Sequence, residues 1–312
     1  MMNGKVLRSD RAGGIWKDAL RRFCANRIAV ISLAVFLLIC LSCALAPWLT
    51  KYSYTAINVH NTLAKPSAEH WLGTDNLGRD ILTRTLYGGR MTLRIAFAST
   101  VTALIIGSVI GLAAGYFGGR FDFLISPVMD IVASIPVILL ALVFEAALGW
   151  GRGNFMYAIA IAAIPQFARL VHVCAASVMG SEYIQAARAL GVGPFGIISR
   201  HIIHNVAPAL IVRFTGALAE SMLTCTVLGY LSIGINPPTP EWGNIIYHAR
   251  NYIRLAPHLM IIPCAAISLT GISVSLAGDG LRDALDPRGE LPAARGLTAG
   301  FLSLFKRRGA AN

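Results

Sequence analysis

Ionisable side chains interrupt the long apolar stretches of this 312-residue chain at only a few positions. Asp130, Arg169 and Glu220 lie well inside such stretches, and Glu145 and Arg213 lie nearer to the ends of theirs. A charged group in the centre of a membrane helix costs about 2.5–3.5 kcal/mol, so it normally pairs with another charge or faces water. We therefore expect Asp130 and Arg169 to pair, and Glu145 and Arg213 to reach the nearest membrane interface. Glu220 has no evident partner, which leaves two roles open for it: lining a polar path, or bonding within the helix bundle.

Two patterns resemble chemical motifs but lack the context that those motifs need. Cys40 and Cys43 form a C-x-x-C inside an apolar stretch, where cysteine behaves as a small hydrophobic residue. Gly191, Gly193 and Gly196 spell G-x-G-x-x-G, but a helix precedes them instead of a strand, and no acidic residue occupies the required position downstream. The chain also lacks the G-x-x-x-x-G-K-[ST] of a P-loop. We therefore predict no catalytic residue, no metal site and no bound cofactor in this chain.

The elements that carry these residues are predicted to be membrane helices. Hydrophobic residues make up 55% of the chain and charged residues only 13%, whereas soluble domains carry about 25% charged residues. Six stretches approach the roughly 20 apolar residues that a span requires: Ile28–Leu49, Ile95–Phe117, about 123–148, 154–178, 209–235 and Pro257–Gly278. The first is longer than the apolar region of a cleaved signal peptide, so we expect it to be retained. The prediction is an all-α polytopic membrane protein with about six spans.

Basic residues predict how these spans are oriented. Segments 1–27 and 281–312 are both rich in Lys and Arg, and an even number of spans places them on one side, so both termini are predicted to be cytoplasmic. The first span, 28–49, then leads into an external loop at 50–94, whose last part resembles an interfacial amphipathic helix. Residues 95–280 form the expected five-helix core. The net charge of +12 thus has a membrane explanation, and no folded basic surface for nucleic acid is evident.

Small residues predict one close helix contact. Gly107, Gly111 and Gly115 recur every four residues along the second span. Such a ridge allows two helix backbones to approach closely. The sequence leaves open whether the partner helix belongs to this chain or to a second subunit.

A polar segment at 181–208 interrupts the apolar pattern on the predicted cytoplasmic side. Ser181 is suited to cap a helix through its hydroxyl, and Ile184, Ala187 and Leu190 form one apolar stripe. Gly191 occupies the left-handed position that follows a helix. The expected product is a short helix lying across the membrane surface.

A second helix is expected to brace the first. Pro194 is suited to open it, and Pro208 is expected to restart the chain into the next span. This pair of helices either docks a soluble partner or is an ordinary amphipathic loop on the bilayer.

Four stretches resemble signatures of a known transporter family. Residues 182–211, EYIQAARALGVGPFGIISRHIIHNVAPALI, resemble the "EAA" coupling signature of permease subunits in bacterial ABC importers. Residues 70–93, HWLGTDNLGRDILTRTLYGGRMTL, are similar to an external segment of the dipeptide/oligopeptide/nickel permease family. GINPPTPEWGN (234–244) and GDGLRDALDPR (278–288) look like segments typical of the second permease, type C, of such systems.

The resemblance implies the fold of an ABC type I importer permease in the bacterial inner membrane. It implies a heterodimer with a sister permease, two cytoplasmic ATP-binding subunits that hold ATP and Mg, and an external solute-binding protein. The chain itself would not be an enzyme. By the same resemblance, the residues that contact an ATPase are Glu182, Tyr183, Gln185, Ala186, Ala187, Leu190 and Gly191.

Several positions depart from the family pattern. Gln185 stands where the family often has the first glutamate of "EAA", and His204 interrupts the usual Leu-Pro-Asn. His172 replaces a frequent second arginine, and Cys225 stands where many members have an acidic residue. Short peptides are the expected substrates, with nickel or a metal chelate and glutathione as alternatives. The alternative in another class is a self-contained transporter driven by an ion gradient, although the chain shows none of the repeated halves typical of that class.

Overall fold

The computed structural model describes residues 12–149 and 154–286. Residues 1–11 of the basic N-terminal segment, most of the loop at 149–154 and residues 287–312 of the basic tail lie outside the described residues. The described part is helical apart from its connections and one isolated bridge between Thr74 and Asp80. Its helices are α1 (Ala12–Ala25), α2 (Arg27–Ala44), α3 (Ala46–Leu49), α4 (Ile81–Phe117), α5 (Gly119–Ser134), α6 (Val137–Leu148), α7 (Phe155–Met179), α8 (Glu182–Ala189), α9 (Pro194–Ile197), α10 (Ile203–Tyr230), α11 (Trp242–Ala249) and α12 (His258–Leu285).

The prediction of about six spans is confirmed. Helices α2, α4, α7 and α12, and the continuous helical run from Pro194 to Tyr230, are each long and apolar enough to cross a membrane. The stretch expected near 123–148 is a bent pair instead, because α5 and α6 meet at 89°. The bend follows from Pro136, since a proline drives the preceding residue out of the helical conformation, and Ile135 is extended.

Helix α4 corrects the expectation of an interfacial helix within 50–94. It has 37 residues and is therefore about 55 Å long, well beyond the ~30 Å of a hydrocarbon core. Its first three turns are the predicted amphipathic segment. Ile81, at the start of that segment, does not face lipid, because it packs with Ala256, just before α12, and with Leu259 in its first turn.

Two other boundaries also differ from the expectation. Pro208 lies inside α10 and begins no new span. The second helix of segment 181–208 therefore continues into the span through a π-helical turn at Ile198–Ile202. Helix α12 runs past residue 280 to Leu285.

The glycine ridge joins α4 to α7 of the same chain. A Cβ added at Gly107 would lie 2.7 Å from Cβ of Phe167, and one at Gly115 would lie 2.6 Å from Cβ of Ala175. A Cβ at Gly111 would meet the backbone oxygen of Ala168 still more closely. The two helices can pack at this distance only because the ridge has no side chains.

Candidate coupling helix and intramembrane charges

Helix α8 is anchored to the bundle by one side chain. Ile184 is fully buried among Val171, Ala175 and Val178 of α7 and the apolar residues of the chain that follows α8. Burying an isoleucine side chain stabilises its position by roughly 1.5–3 kcal/mol. The other predicted contact residues surround this anchor: Glu182, Tyr183, Gln185, Ala186 and Gly191 are exposed, and Ala187 is half-buried.

The end of α8 is a sharp reversal made by Gly191. Its φ of +83° is in the left-handed region, where glycine has no steric penalty. The Gly191 N–H donates to the Arg188 carbonyl (2.9 Å) and the Val192 N–H donates to the Ala187 carbonyl (3.1 Å). These two bonds form a Schellman motif, which turns the chain back beneath the bundle into α9.

Two sequence expectations for α8 are wrong. The Ser181 hydroxyl does not cap the helix; it donates backwards to the Val178 carbonyl, at 2.5 Å. Leu190 does not extend the buried stripe, because it lies at the end of the helix beyond the reach of α7 and is 85% exposed. Phe195 of α9 is also exposed, at 82%. Exposed large apolar side chains outside the spans are typical of a protein-binding surface.

Aromatic contacts tie α8 to its neighbours. The Arg188 guanidinium lies 5.7 Å from the ring centroid of Tyr116 at the end of α4. The rings of Tyr183 and His201 are 5.9 Å apart. Cation–π contacts at exposed sites contribute about 0.5–1 kcal/mol. Helix α8 is thus linked to α4, α7 and the start of α10.

Asp130 of α5 and Arg169 of α7 form the expected ion pair. Arg169 Nη2 lies 2.6 Å from Asp130 Oδ1. Their side chains are 64% and 65% exposed, although both lie on predicted spans. Next to them, His172 Nε2 lies 3.3 Å from Asp122 Oδ1. His172, which stands where the family often has an arginine, thus still lies beside a carboxylate, that of Asp122.

Glu220 has a partner that the sequence did not reveal. Arg213 Nη2 donates to Glu220 Oε2 at 3.0 Å, across two turns of α10. Arg213 therefore extends along the helix and does not point to the interface as expected. The two residues are seven positions apart and so lie on the same side of α10, and a long arginine side chain spans the two turns between them.

Glu145 also differs from its expectation. It was expected to reach the membrane interface, but it is 1% exposed, because α6 packs on α7 and turns this side inward. Among residues 12–149 and 154–286, no three His, Cys, Asp or Glu side chains converge as a metal site would require.

Glu241 is a buried carboxyl group that the sequence analysis missed. It precedes α11 in the segment between α10 and α12 and caps that helix, because the Asn244 N–H donates to its Oε2 at 3.0 Å. The Thr92 hydroxyl of α4 donates to Oε1 at 2.8 Å. Burial raises the pKa of Glu241 to about 7, although these hydrogen bonds oppose the shift. An acidic residue directly before WGN in the signature was the available signal for a helix cap.

The same end of the molecule holds a second polar cluster. Asp75 accepts from Arg79 Nε at 2.7 Å and lies 3.5 Å from Arg84 Nε. Asp80 caps α4 by accepting from the Thr83 N–H and lies 3.0 Å from His70 Nδ1. All of these side chains are buried and have a partner, so the signature at 70–93 forms a folded support for α4.

Comparisons with known proteins agree with this arrangement. Residues 107–290 match the family described as binding-protein-dependent transport system inner membrane component. Residues 14–66 match the N-terminal TM domain of oligopeptide transport permease C. The chain is similar to the dipeptide transport system permease protein DppC of Alkalihalophilus pseudofirmus, with 41% identity over 88% of this chain and 90% of the relative.

Two other relatives have the same kind of name. The glutathione transport system permease protein GsiD of Pectobacterium atrosepticum is 38% identical over 91% of this chain and 94% of its own. The probable D,D-dipeptide transport system permease protein DdpC of Escherichia coli is 37% identical over 84% of this chain and 88% of its own.

A solved structure shares the fold. It shows inward-facing conformations of the MetNI methionine ABC transporter; its matched chain superposes with a TM-score of 0.55 and 22% identity, covering 66% of this chain and 98% of its own length. The family match covers more than half of the chain, and the relatives named above span most of it. The chain therefore belongs to the binding-protein-dependent transport system inner membrane components, within the dipeptide/oligopeptide permease family of ABC importers.

Proposed function

We propose that this chain is the second permease subunit of an ATP-driven peptide importer and forms half of its translocation path with a sister permease. The observation that carries the proposal is α8, which is anchored through Ile184 while its outer face remains free for a partner. Two ATPase subunits bind and hydrolyse ATP with Mg, and one of them grips α8. The names of the relatives support an importer of this kind.

In the proposed orientation, α8 and both termini face the cytoplasm, and α11 faces the external solute-binding protein. The basic residues at both ends of the chain support this orientation. Movement of an ATPase pulls on α8, which is joined directly to α7 and through α9 to α10. The two permeases then alternate between inward-facing and outward-facing states.

Exposed charges support a polar path on the face formed by α5, α7 and α10. Charged groups do not face hydrocarbon when water is within reach, yet Asp130, Arg169 and Glu220 are each more than half exposed. Paired charges of both signs suit a zwitterionic peptide better than a cation. The relatives named for dipeptides and glutathione favour such substrates over nickel or a metal chelate.

Crosslinking to the ATPase tests the docking of α8. A cysteine at the exposed Gln185, in a cysteine-free background of the assembled transporter, is expected to crosslink to a single-cysteine ATPase. The matched control is Leu255→Cys, which is also exposed but lies at the α11 end. An adduct from Leu255→Cys but none from Gln185→Cys would contradict the proposal.

Transport in proteoliposomes tests the class of transporter. We expect dipeptide uptake to require ATP, the ATPase subunits and the solute-binding protein. Uptake by the permease alone under an ion gradient would instead support the self-contained transporter.

A further inference from the structure

A large apolar cavity lies apart from the coupling helix α8 and from the pair Asp130–Arg169. It is lined by α1, α2, α4, α10 and α12, and its volume is about 850 Å³. Cavities of about 300–1,000 Å³ are typical of ligand sites. The helices of the proposed path that carry Asp130 and Arg169, α5 and α7, contribute nothing to its lining.

The walls of this cavity are those of a site for a hydrocarbon chain. On α2, Leu33, Phe36, Cys40 and Ala44 line it as one stripe. Eleven residues of rise make that stripe about 16 Å long, roughly half of the ~30 Å hydrocarbon core and thus about one leaflet. Trp16 of α1 also lines the cavity.

Two arginines lie near the Ala44 end of the α2 stripe, just after Gly89, which faces Cys43. Arg90 and Arg94 lie one turn apart on α4 and both line the cavity, near Cys43 and Ala44. Neither guanidinium has a hydrogen bond or an ion pair with any residue of 12–149 or 154–286. By contrast, Arg84, Arg169 and Arg213 are all paired with carboxylates. Two adjacent positive charges without a counterion, at the mouth of an apolar cavity, call for an anionic group joined to a hydrocarbon chain.

We propose that this cavity binds one acyl chain of an anionic phospholipid whose phosphate is held by Arg90 and Arg94. The acyl chain fills the space along the α2 stripe, and the phosphate neutralises the two guanidinium groups. The lipid joins α1 and α2 to the core, which they otherwise contact mainly through α12. One direct hydrogen bond joins α1 to the end of α12: Arg22 Nη1 donates to the Asp286 carbonyl at 3.2 Å. This inference is independent of the transported substrate.

Lipid selectivity is the first test. The full chain is purified into nanodiscs that contain equal amounts of phosphatidylglycerol and phosphatidylcholine, and retained lipid is measured after delipidation by native mass spectrometry. We expect the wild type to retain phosphatidylglycerol, and Arg90→Gln/Arg94→Gln to lose this preference about tenfold or more. The matched control is Arg120→Gln/Arg254→Gln, which removes two exposed arginines far from the cavity. Equal retention in both double variants would overturn the proposal.

Photolabelling locates the acyl chain. Phosphatidylglycerol with a diazirine in its acyl chain should label α1, α2 and α4 at the cavity, and Cys40→Trp should abolish that labelling by filling the space. Thermal unfolding of each variant reports whether it is folded, so only folded variants are compared. Labelling spread evenly around the bundle would refute a specific site. Crosslinks from the cavity to the sister permease, with no lipid label, would equally overturn the proposal, because another occupant would then fill the space.

Discussion

At the scale of single residues, the burial of Glu241 makes the stability of the protein depend on pH. Its carboxyl group is fully buried between α4 and α10, with Gly229 so close that no side chain would fit there. The ordinary pKa of glutamate is about 4.3, and burial raises that of Glu241 to about 7. The folded protein therefore binds a proton more tightly than the unfolded chain does. Its stability falls as the pH rises from about 4 to about 7 and then levels off.

The variant Glu241→Gln should remove this pH dependence. The amide keeps the size of the side chain and its acceptor for the Asn244 N–H, but it cannot ionise. We expect its unfolding temperature in detergent to exceed that of the wild type at pH 8 and to approach it at pH 5. Glu69→Gln, which changes an exposed carboxyl group, should keep the wild-type profile. A wild-type profile in Glu241→Gln would contradict the buried assignment.

The pair Asp130–Arg169 should matter for transport more than for folding. Exposed ion pairs contribute about 0.2–1 kcal/mol, so Asp130→Asn should change the free energy of unfolding by no more than that. Peptide uptake should fall, because Arg169 is left as an uncompensated charge on the path. The exchange Asp130→Arg/Arg169→Asp restores the pair and should recover part of the uptake. Uptake unchanged by Asp130→Asn would argue against a place on the path.

At the scale of helices, the contact between α4 and α7 depends on the absence of side chains. Gly111→Ala would push a methyl group into the backbone of α7 at Ala168, and overpacking of this kind costs roughly 1–3 kcal/mol. Gly216→Ala on α10 is the matched control, since its added Cβ would meet only Arg213 at 3.8 Å. We expect a lower unfolding temperature for the first variant and no loss for the second. Equal stability of the two variants would disprove the close contact.

Two variants of α8 should distinguish the residue that anchors the helix to the bundle from a residue that contacts the ATPase. Ile184→Ala removes a buried side chain and should cost about 2–5 kcal/mol, seen as a lower unfolding temperature. Leu190→Ser changes an exposed residue and should leave the unfolding temperature unchanged while weakening copurification of the ATPase. If Leu190→Ser destabilised the isolated permease as much as Ile184→Ala, the outward position of Leu190 would be wrong.

Periodicity and composition were sufficient to predict the spans, because apolar length is a local property of the sequence. Pro136 indicates in the sequence that a helix could break between α5 and α6, but a proline inside a span marks either a kink or a boundary and does not give the angle. The pairing of Arg213 with Glu220 and the burial of Glu145 depend on which face of each helix meets a neighbour. Local patterns do not contain that information. Glu241 was missed because its partners, Thr92 and Gly229, lie far away in the sequence.

At the scale of the whole molecule, one side of the bundle lacks a protein neighbour. Helix α5 has no buried residue, and Phe123 and Leu124 are among its most exposed side chains. We expect the sister permease to cover α5. A cysteine at Leu124 should therefore react with a membrane-soluble maleimide more slowly in the assembled transporter than in the isolated chain. Val109→Cys on α4, which is equally exposed, serves as the comparison. If assembly slowed the reaction of both cysteines equally, the sister permease would not cover α5 specifically.

The length of α4 has a mechanical consequence. This continuous helix has 37 residues. Near its C-terminal end, Tyr116 contacts the Arg188 guanidinium of α8. Toward its N-terminal end, Thr92 donates a hydrogen bond to Glu241. A stiff helix that tilts at one end must also move at its other end. A displacement of α4 on one side of the bilayer would therefore move the part of α4 on the other side. If an ATPase moves α8, as proposed, we expect α4 to carry that movement to the end of the molecule that holds Glu241.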